Sequence, residues 1–132
     1  MEKMIFVNLP VTDMSCSIKF YEALGFKKHS EFSNENGTAM MWTENIWIML
    51  LTHGFYSQFL KGQTIADTQK SNGSITSFNL ESIAAVREVA QTAKTNGGTF
   101  YHVELGIPED HMYELEVKDP DGNLLSFSWM SM

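Results

Sequence analysis

The side chains best able to do chemistry crowd into the last third of the chain: His102, Glu104, Glu109, Asp110, His111, Glu114 and Glu116. A His102-x-Glu104 pair on one strand face could hold a metal, or act as a base with its orienting carboxylate. Residues 104–110 read as a loop around Pro108, however, where polar side chains are usually solvated. Glu114 and Glu116 alternate with Tyr113, Leu115 and Val117, so a strand there turns both carboxylates to one side and the apolar residues to the other. Two acids on one wall would attract a cationic ligand. The competing reading places them on an edge strand, wet and without function. Cys16 is the only cysteine. It excludes an intrachain disulfide or a thiolate metal cluster, and between Met14 and Ile18 it reads as a small core residue. Phosphate-binding loops, dinucleotide-binding glycine patterns, nucleophile elbows and zinc-protease motifs are all missing from the sequence.

Composition narrows the partners. In 132 residues, 43% hydrophobic and 19% charged content is that of an ordinary globular chain, and the length suits a single domain spanning 1–132. A net charge of -7 repels phosphate backbones and anionic lipid heads, so neither nucleic acid nor membrane is the expected partner. The longest apolar run, residues 46–51, has the length of a strand. Residues 1–7 enter a strand pattern directly, which gives the expectation of a cytoplasmic protein.

The elements that must position these side chains repeat. Residues 4–9 form a strand ending at Pro10, Asp13 caps a helix over 14–24, and Gly25 stops it. Strands follow over 26–32, 38–43 and 46–52, separated by Asn34-Glu35-Asn36-Gly37 and Glu44-Asn45. After a weakly patterned connector the order returns: a strand over 74–80 and a helix capped by Ser82 with Ile83, Val86, Ala90 and Ala93 on its buried stripe. Strands over 99–103, 111–117 and 123–130 complete it. The chain therefore reads as α+β, with module 1 at about 1–53, a connector at about 54–73 and module 2 at about 74–132. Each module has the order βαβββ. Two mixed sheets, each covered by its helix on one face, would leave two apolar or mixed faces that could curl toward each other as a cup.

Specific residues favour one family among α+β folds. The stretch from Val7-Asn8-Leu9-Pro10 through Asp13, Phe20-Tyr21 and Leu24-Gly25-Phe26 resembles the opening of vicinal-oxygen-chelate modules. Asp119-Pro120-Asp121-Gly122-Asn123-Leu124-Leu125 resembles their closing hairpin. The likeness covers the whole chain and is similar to the glyoxalase-like, lactoylglutathione-lyase-like group. It implies the glyoxalase/bleomycin resistance/dihydroxybiphenyl dioxygenase fold and a homodimer. That fold hosts isomerases, dioxygenases, thiol transferases and drug-binding proteins, so it does not fix an activity.

Metal-using relatives take ligands from the first and last strands of each module. The resemblance places those positions at Phe6, Met49, Ser74 and Ser126, none of which is His, Glu or Gln. Aromatic, thioether and hydroxyl groups cannot replace about three good ligands on a divalent ion. The expectation is therefore no metal site and no cofactor. Alternation then adds Asn8, Trp47, Leu51, Thr76, Phe78, Leu124 and Ser128 to the same lining. Such a surface suits an apolar or aromatic ligand held by a few polar contacts, or it simply fills the cup as core. The functional expectation is metal-independent binding of a small molecule, of the kind resistance proteins use for sequestration. Its candidate contacts are Phe6, Asn8, Trp47, Met49, Ser74, Thr76, Phe78, Glu114, Glu116 and Ser126. The alternative is a glyoxalase- or dioxygenase-like enzyme with displaced ligands such as His102, His111 and Glu104.

Overall fold

Strand β1 (Ile5–Val11) runs through Pro10 rather than ending before it, and the topology explains why. In the computed structural model, which describes residues 1–132, the first sheet has the order β1-β4-β3-β2, so β1 is an edge strand. An edge strand has a neighbour on one side only, where the N–H that proline lacks need not cost a ladder bond. The chain divides into two compact units, Met1–Asp67 and Thr68–Met132.

In the first unit, Asp13 caps α1 (Met14–Ala23) by accepting from the Cys16 amide at 3.1 Å. Gly25, at φ 106°, then turns the chain where a side chain would be strained. Strands β2 (Lys27–Asn34), β3 (Gly37–Thr43) and β4 (Ile46–Thr52) follow, with a short α2 (His53–Ser57). Strand β1 pairs parallel with β4, and the other pairings are antiparallel. The core on the α1 side holds Phe20, Tyr21, Met40, Ile48 and Leu50, all fully buried. Each such side chain contributes about 1.5–3 kcal/mol by leaving water.

The second unit repeats the plan with β5 (Thr76–Asn79), α3 (Ile83–Thr95), β6 (Thr99–Tyr101), β7 (Met112–Lys118) and β8 (Leu124–Met130), in sheet order β5-β8-β7-β6. Ser82 caps α3 through the Ala85 amide at 3.0 Å. Val86, Val89, Ala90 and Ala93 form the buried stripe of α3, and Leu115, Val117, Leu125 and Phe127 fill the core of the sheet. In the turn between β7 and β8, the Asp119 carboxylate accepts from the amides of Asp121 and Asn123, each at 2.9 Å. Thr68 and Gln69, at the start of this unit, donate to the Asp121 and Pro120 carbonyls and hold that turn from outside. Both sheets are open and mixed, and the α+β, twice-βαβββ order is the one expected.

Three local expectations are corrected. Strand β5 is only four residues long, so Ser74 lies ahead of it, exposed. Strand β6 ends at Tyr101, so His102 and Glu104 stand in a loop and share no strand face. Thr76 and Phe78 pair with Leu125 and Phe127, not with the serines of β8, which puts them on the opposite face from Ser126. Phe78 stacks on Phe127 with ring centroids 5.3 Å apart and is a core residue of the α3 side. The parity of β5 is set by its long-range parallel register with β8, which the local sequence around Ser74 does not encode.

Candidate functional site

On the helix-free face of the first sheet, register places Phe6 beside Trp47 and Asn8 beside Met49. Asn8 is exposed, Met49 half-buried, and Phe6 remains 49% exposed. Trp47 is only 6% exposed, because Phe6, His29 and Phe32 surround it at centroid distances of 5.8, 5.2 and 5.8 Å. Its indole N–H donates to the Glu44 carbonyl at 2.8 Å, so the ring offers only carbon to anything that approaches. A cleft of about 590 Å³ opens beside it, with Lys27, His29, Met41 and Glu44 among its walls. His29 and Phe32 escape a sequence reading because β2 and β3 shift register between His29 and Asn34. The Asn36-Gly37 turn alone would have set a different pairing.

The corresponding face of the second sheet is chemically unlike the first. Strand β7 lies between β8 and β6, which gives Glu116 a neighbour on both sides, Ser126 and Tyr101, whereas β6 ends before it reaches Glu114. Glu116 pairs in register with Ser126, and Glu114 with Ser128. The Ser126 hydroxyl, 2% exposed, donates to Glu114 Oε2 at 2.7 Å. Glu116 is 8% exposed, and its Oε2 is buried with no hydrogen-bond partner. Burial pushes the Glu116 carboxyl up to about 7. Hydrogen bonding to Glu114 and that residue's charge push the same way, while a backbone hydrogen bond and, less strongly, His102 oppose them. The result is a carboxyl pair in which Ser126 steadies Glu114 while Glu116 can hold a proton near neutrality.

Of the sequence candidates, the structure brings Glu114, Glu116 and Ser126 together, and groups Phe6 and Trp47 with Asn8 and Met49 alongside. Ser74, Thr76 and Phe78 join neither group. The residues of β5 that share a face with Ser126 are Ser77 and Asn79, from the pairing Ser77 to Ser126 and Asn79 to Ser128.

The same geometry tests the divalent ion that this kind of fold often carries. Phe6 and Met49 offer no hard donor, Ser74 is outside its strand, and the Ser126 hydroxyl is committed to Glu114. Moving the parity of β5 to Ser77 supplies no better ligand. Nowhere do three or more His, Cys, Asp or Glu side chains gather in a way that could hold a metal ion. The residues present do not fit such an ion.

Comparison with solved structures supports the fold. A hypothetical protein from S. aureus matches with TM-score 0.77 at 22% identity, over 98% of this chain and 94% of that one. A glyoxalase/bleomycin resistance protein/dioxygenase family enzyme from Burkholderia phytofirmans matches with TM-score 0.77 at 18% identity, over 98% and 100%. A genomically encoded fosfomycin resistance protein from Listeria monocytogenes matches with TM-score 0.69 at 13% identity, over 100% and 94%. No curated protein matches the chain by sequence. No helix is long and apolar enough to cross a membrane. The duplicated βαβββ plan is thus found in solved proteins along nearly the full length, and the family profile itself matches residues 3–127: the chain belongs to the Glyoxalase/Bleomycin resistance protein/Dioxygenase superfamily.

Proposed function

We propose that this protein binds a small organic molecule without a metal or other cofactor, in the manner of a sequestering resistance protein. The observation that carries this reading is Glu116. Folding leaves one of its carboxyl oxygens buried and unpartnered beside Glu114. An unpaired buried polar atom costs stability, and such a cost is retained most readily where a ligand makes the missing bond. Glu114 and Ser126 belong to the same constellation. On the first sheet, Phe6, Trp47 and Met49 are the apolar surface the reading uses, with Asn8 as its polar neighbour. The proposal extends to a homodimer working in the cytoplasm.

Native mass spectrometry of freshly purified protein, followed by a thermal-shift panel of amines, acids and neutral aromatics, tests it. The expected result is a co-purified organic ligand or a compound that raises the melting temperature, with the shift reduced in Glu116→Gln. Stoichiometric Zn, Ni, Fe or Mn would overturn the metal-free reading in favour of an enzyme with ligands such as His102, His111 and Glu104. A panel without any shift would overturn binding itself. Because Trp47 is buried among aromatic rings, Trp47→Ala would confound binding with stability, and Trp47→Phe is the better probe of the first sheet.

A further inference from the structure

Three Asn-Gly pairs occur in the chain: Asn36-Gly37, Asn72-Gly73 and Asn96-Gly97. Such a pair can react with itself, because glycine has no side chain to shield its backbone nitrogen from the preceding carboxamide. The fold restrains two of the three. Gly37 is buried at the start of β3, in register with Asn34 and Leu51, and the Asn36 carbonyl accepts from the Thr52 amide at 2.9 Å. That peptide plane cannot turn without breaking its bond to the sheet. Asn96 is the C-cap of α3. Its Nδ2 donates to the Thr92 carbonyl at 2.8 Å, and the Gly98 amide closes the turn on the Ala93 carbonyl at 2.9 Å. Asn72-Gly73 has no such restraint. Residues 71–75 are all exposed and lie outside helix and strand, between Gln69, whose side chain donates to the Pro120 carbonyl, and β5. Neither the Asn72 side chain nor the Gly73 amide makes a hydrogen bond within the protein. The remaining asparagines are followed by Leu, Glu or Ile, whose side chains crowd the nitrogen.

We propose that Asn72 is a site of spontaneous covalent modification, converting to aspartate and isoaspartate through a cyclic imide formed with Gly73. The Gly73 nitrogen gives its proton to hydroxide and attacks Asn72 Cγ. An N–Cγ bond forms, the Cγ–Nδ2 bond breaks, and Nδ2 leaves as ammonia after taking a proton from water. Deprotonation comes first because amide resonance otherwise ties up the nitrogen lone pair. Water then opens the ring at either carbonyl, so one water is consumed and one ammonia released, with no oxidation or reduction. The product has one carboxamide fewer and one carboxylate more, which takes the net charge from -7 to -8. Opening toward isoaspartate also places an extra methylene in the main chain just ahead of β5. The inference is independent of ligand binding and concerns the segment that leads into the second sheet.

The test is to hold the full chain at mildly alkaline pH and follow it over days by ion exchange, which separates the more acidic product, and by peptide mapping with mass spectrometry. Conversion should concentrate at Asn72, with Asn36 and Asn96 at least about tenfold slower, the effect on a rate of a hydrogen bond that must break first. In denaturing urea, where those restraints vanish, the three pairs should react at comparable rates. A Cβ on Gly73 would meet nothing within 4 Å, so Gly73→Ala keeps the fold and should slow conversion of Asn72 several-fold by crowding the nitrogen. Asn72→Gln should remove the new acidic species. Conversion of Asn36 or Asn96 as fast as that of Asn72 in the folded protein overturns the proposal. So does the same ranking with and without urea, or an Asn72 that stays intact in the folded chain.

Discussion

The two units share an element order, a capped helix and a sheet with its first strand at one edge, yet their helix-free faces have little in common. The first carries Phe6, Trp47 and Met49; the second carries Ser126, Ser128, Glu114 and Glu116. On the helix side both are built alike: Phe20, Ile48 and Leu50 in one, Val86, Val117 and Phe127 in the other, all buried carbon. Packing against the helix constrains that side, since a polar atom there would lose its water without gaining a partner. The other side escapes this demand, and there the two units differ, one presenting aromatic surface and the other carboxyl groups.

The sharpest way to break the comparison is to damage the side that is supposed to be common. Phe127→Ala should cost about 3–5 kcal/mol by opening a cavity against Phe78, and Ile48→Ala in the first unit should cost a similar though smaller amount, about 2–5 kcal/mol. Urea denaturation measures both. A loss under about 1 kcal/mol at either position would mean that its helix side is not the stabilising one.

Glycines that meet a tight neighbour give a finer contrast. Gly122 has φ 87°, and a Cβ there would sit 2.7 Å from the Thr68 carbonyl oxygen. Backbone cannot step aside, so Gly122→Ala should cost about 2 kcal/mol or more. A Cβ on Gly37 would sit 2.6 Å from Leu51 Cδ2, the tip of a flexible side chain, and 3.1 Å from the Leu50 carbonyl oxygen, a backbone contact looser than that at Gly122, and Gly37 has no positive φ. The expected cost of Gly37→Ala is about 1 kcal/mol, from repacking. Thermal unfolding of the two variants under one condition decides the order.

An effect of similar size, visible only as a dependence on pH, tests the acid pair directly. Glu116 is raised in the folded state, so the native protein binds more protons than the unfolded chain between the ordinary carboxyl range and about 7. Its contribution is fully present below the unfolded value and is lost as pH rises through about 7. Glu116→Gln, which mimics the protonated carboxyl, should therefore gain about 1–2 kcal/mol relative to the parent on going from pH 5 to pH 8. An unchanged difference between variant and parent at the two pH values would refute the raised Glu116 carboxyl.

Much of this architecture is legible without coordinates, because the signals are local. Asp13, Ser82 and Gly25 mark helix ends by their own chemistry, and Asp119-Pro120-Asp121-Gly122 announces a turn. The direction of Glu114 and Glu116 also follows from alternation with Leu115 and Val117. What alternation could not supply was the neighbour on each side. Burial of Glu116 depends on β7 being interior to the sheet, with only the three residues of β6 making it so. The parity of β5 likewise depends on its pairing with β8, some fifty residues away in sequence. Local chemistry reads from the chain, whereas partners distant along it must be seen.

Trp47 has a use of its own. Its indole is pinned by the Glu44 carbonyl and lies 5.2 Å from the His29 imidazole, a side chain able to quench tryptophan emission on contact. The first sheet thus carries a built-in optical gauge: a molecule that settles beside Trp47 and nudges His29 aside should register as a change in light output, without any label attached.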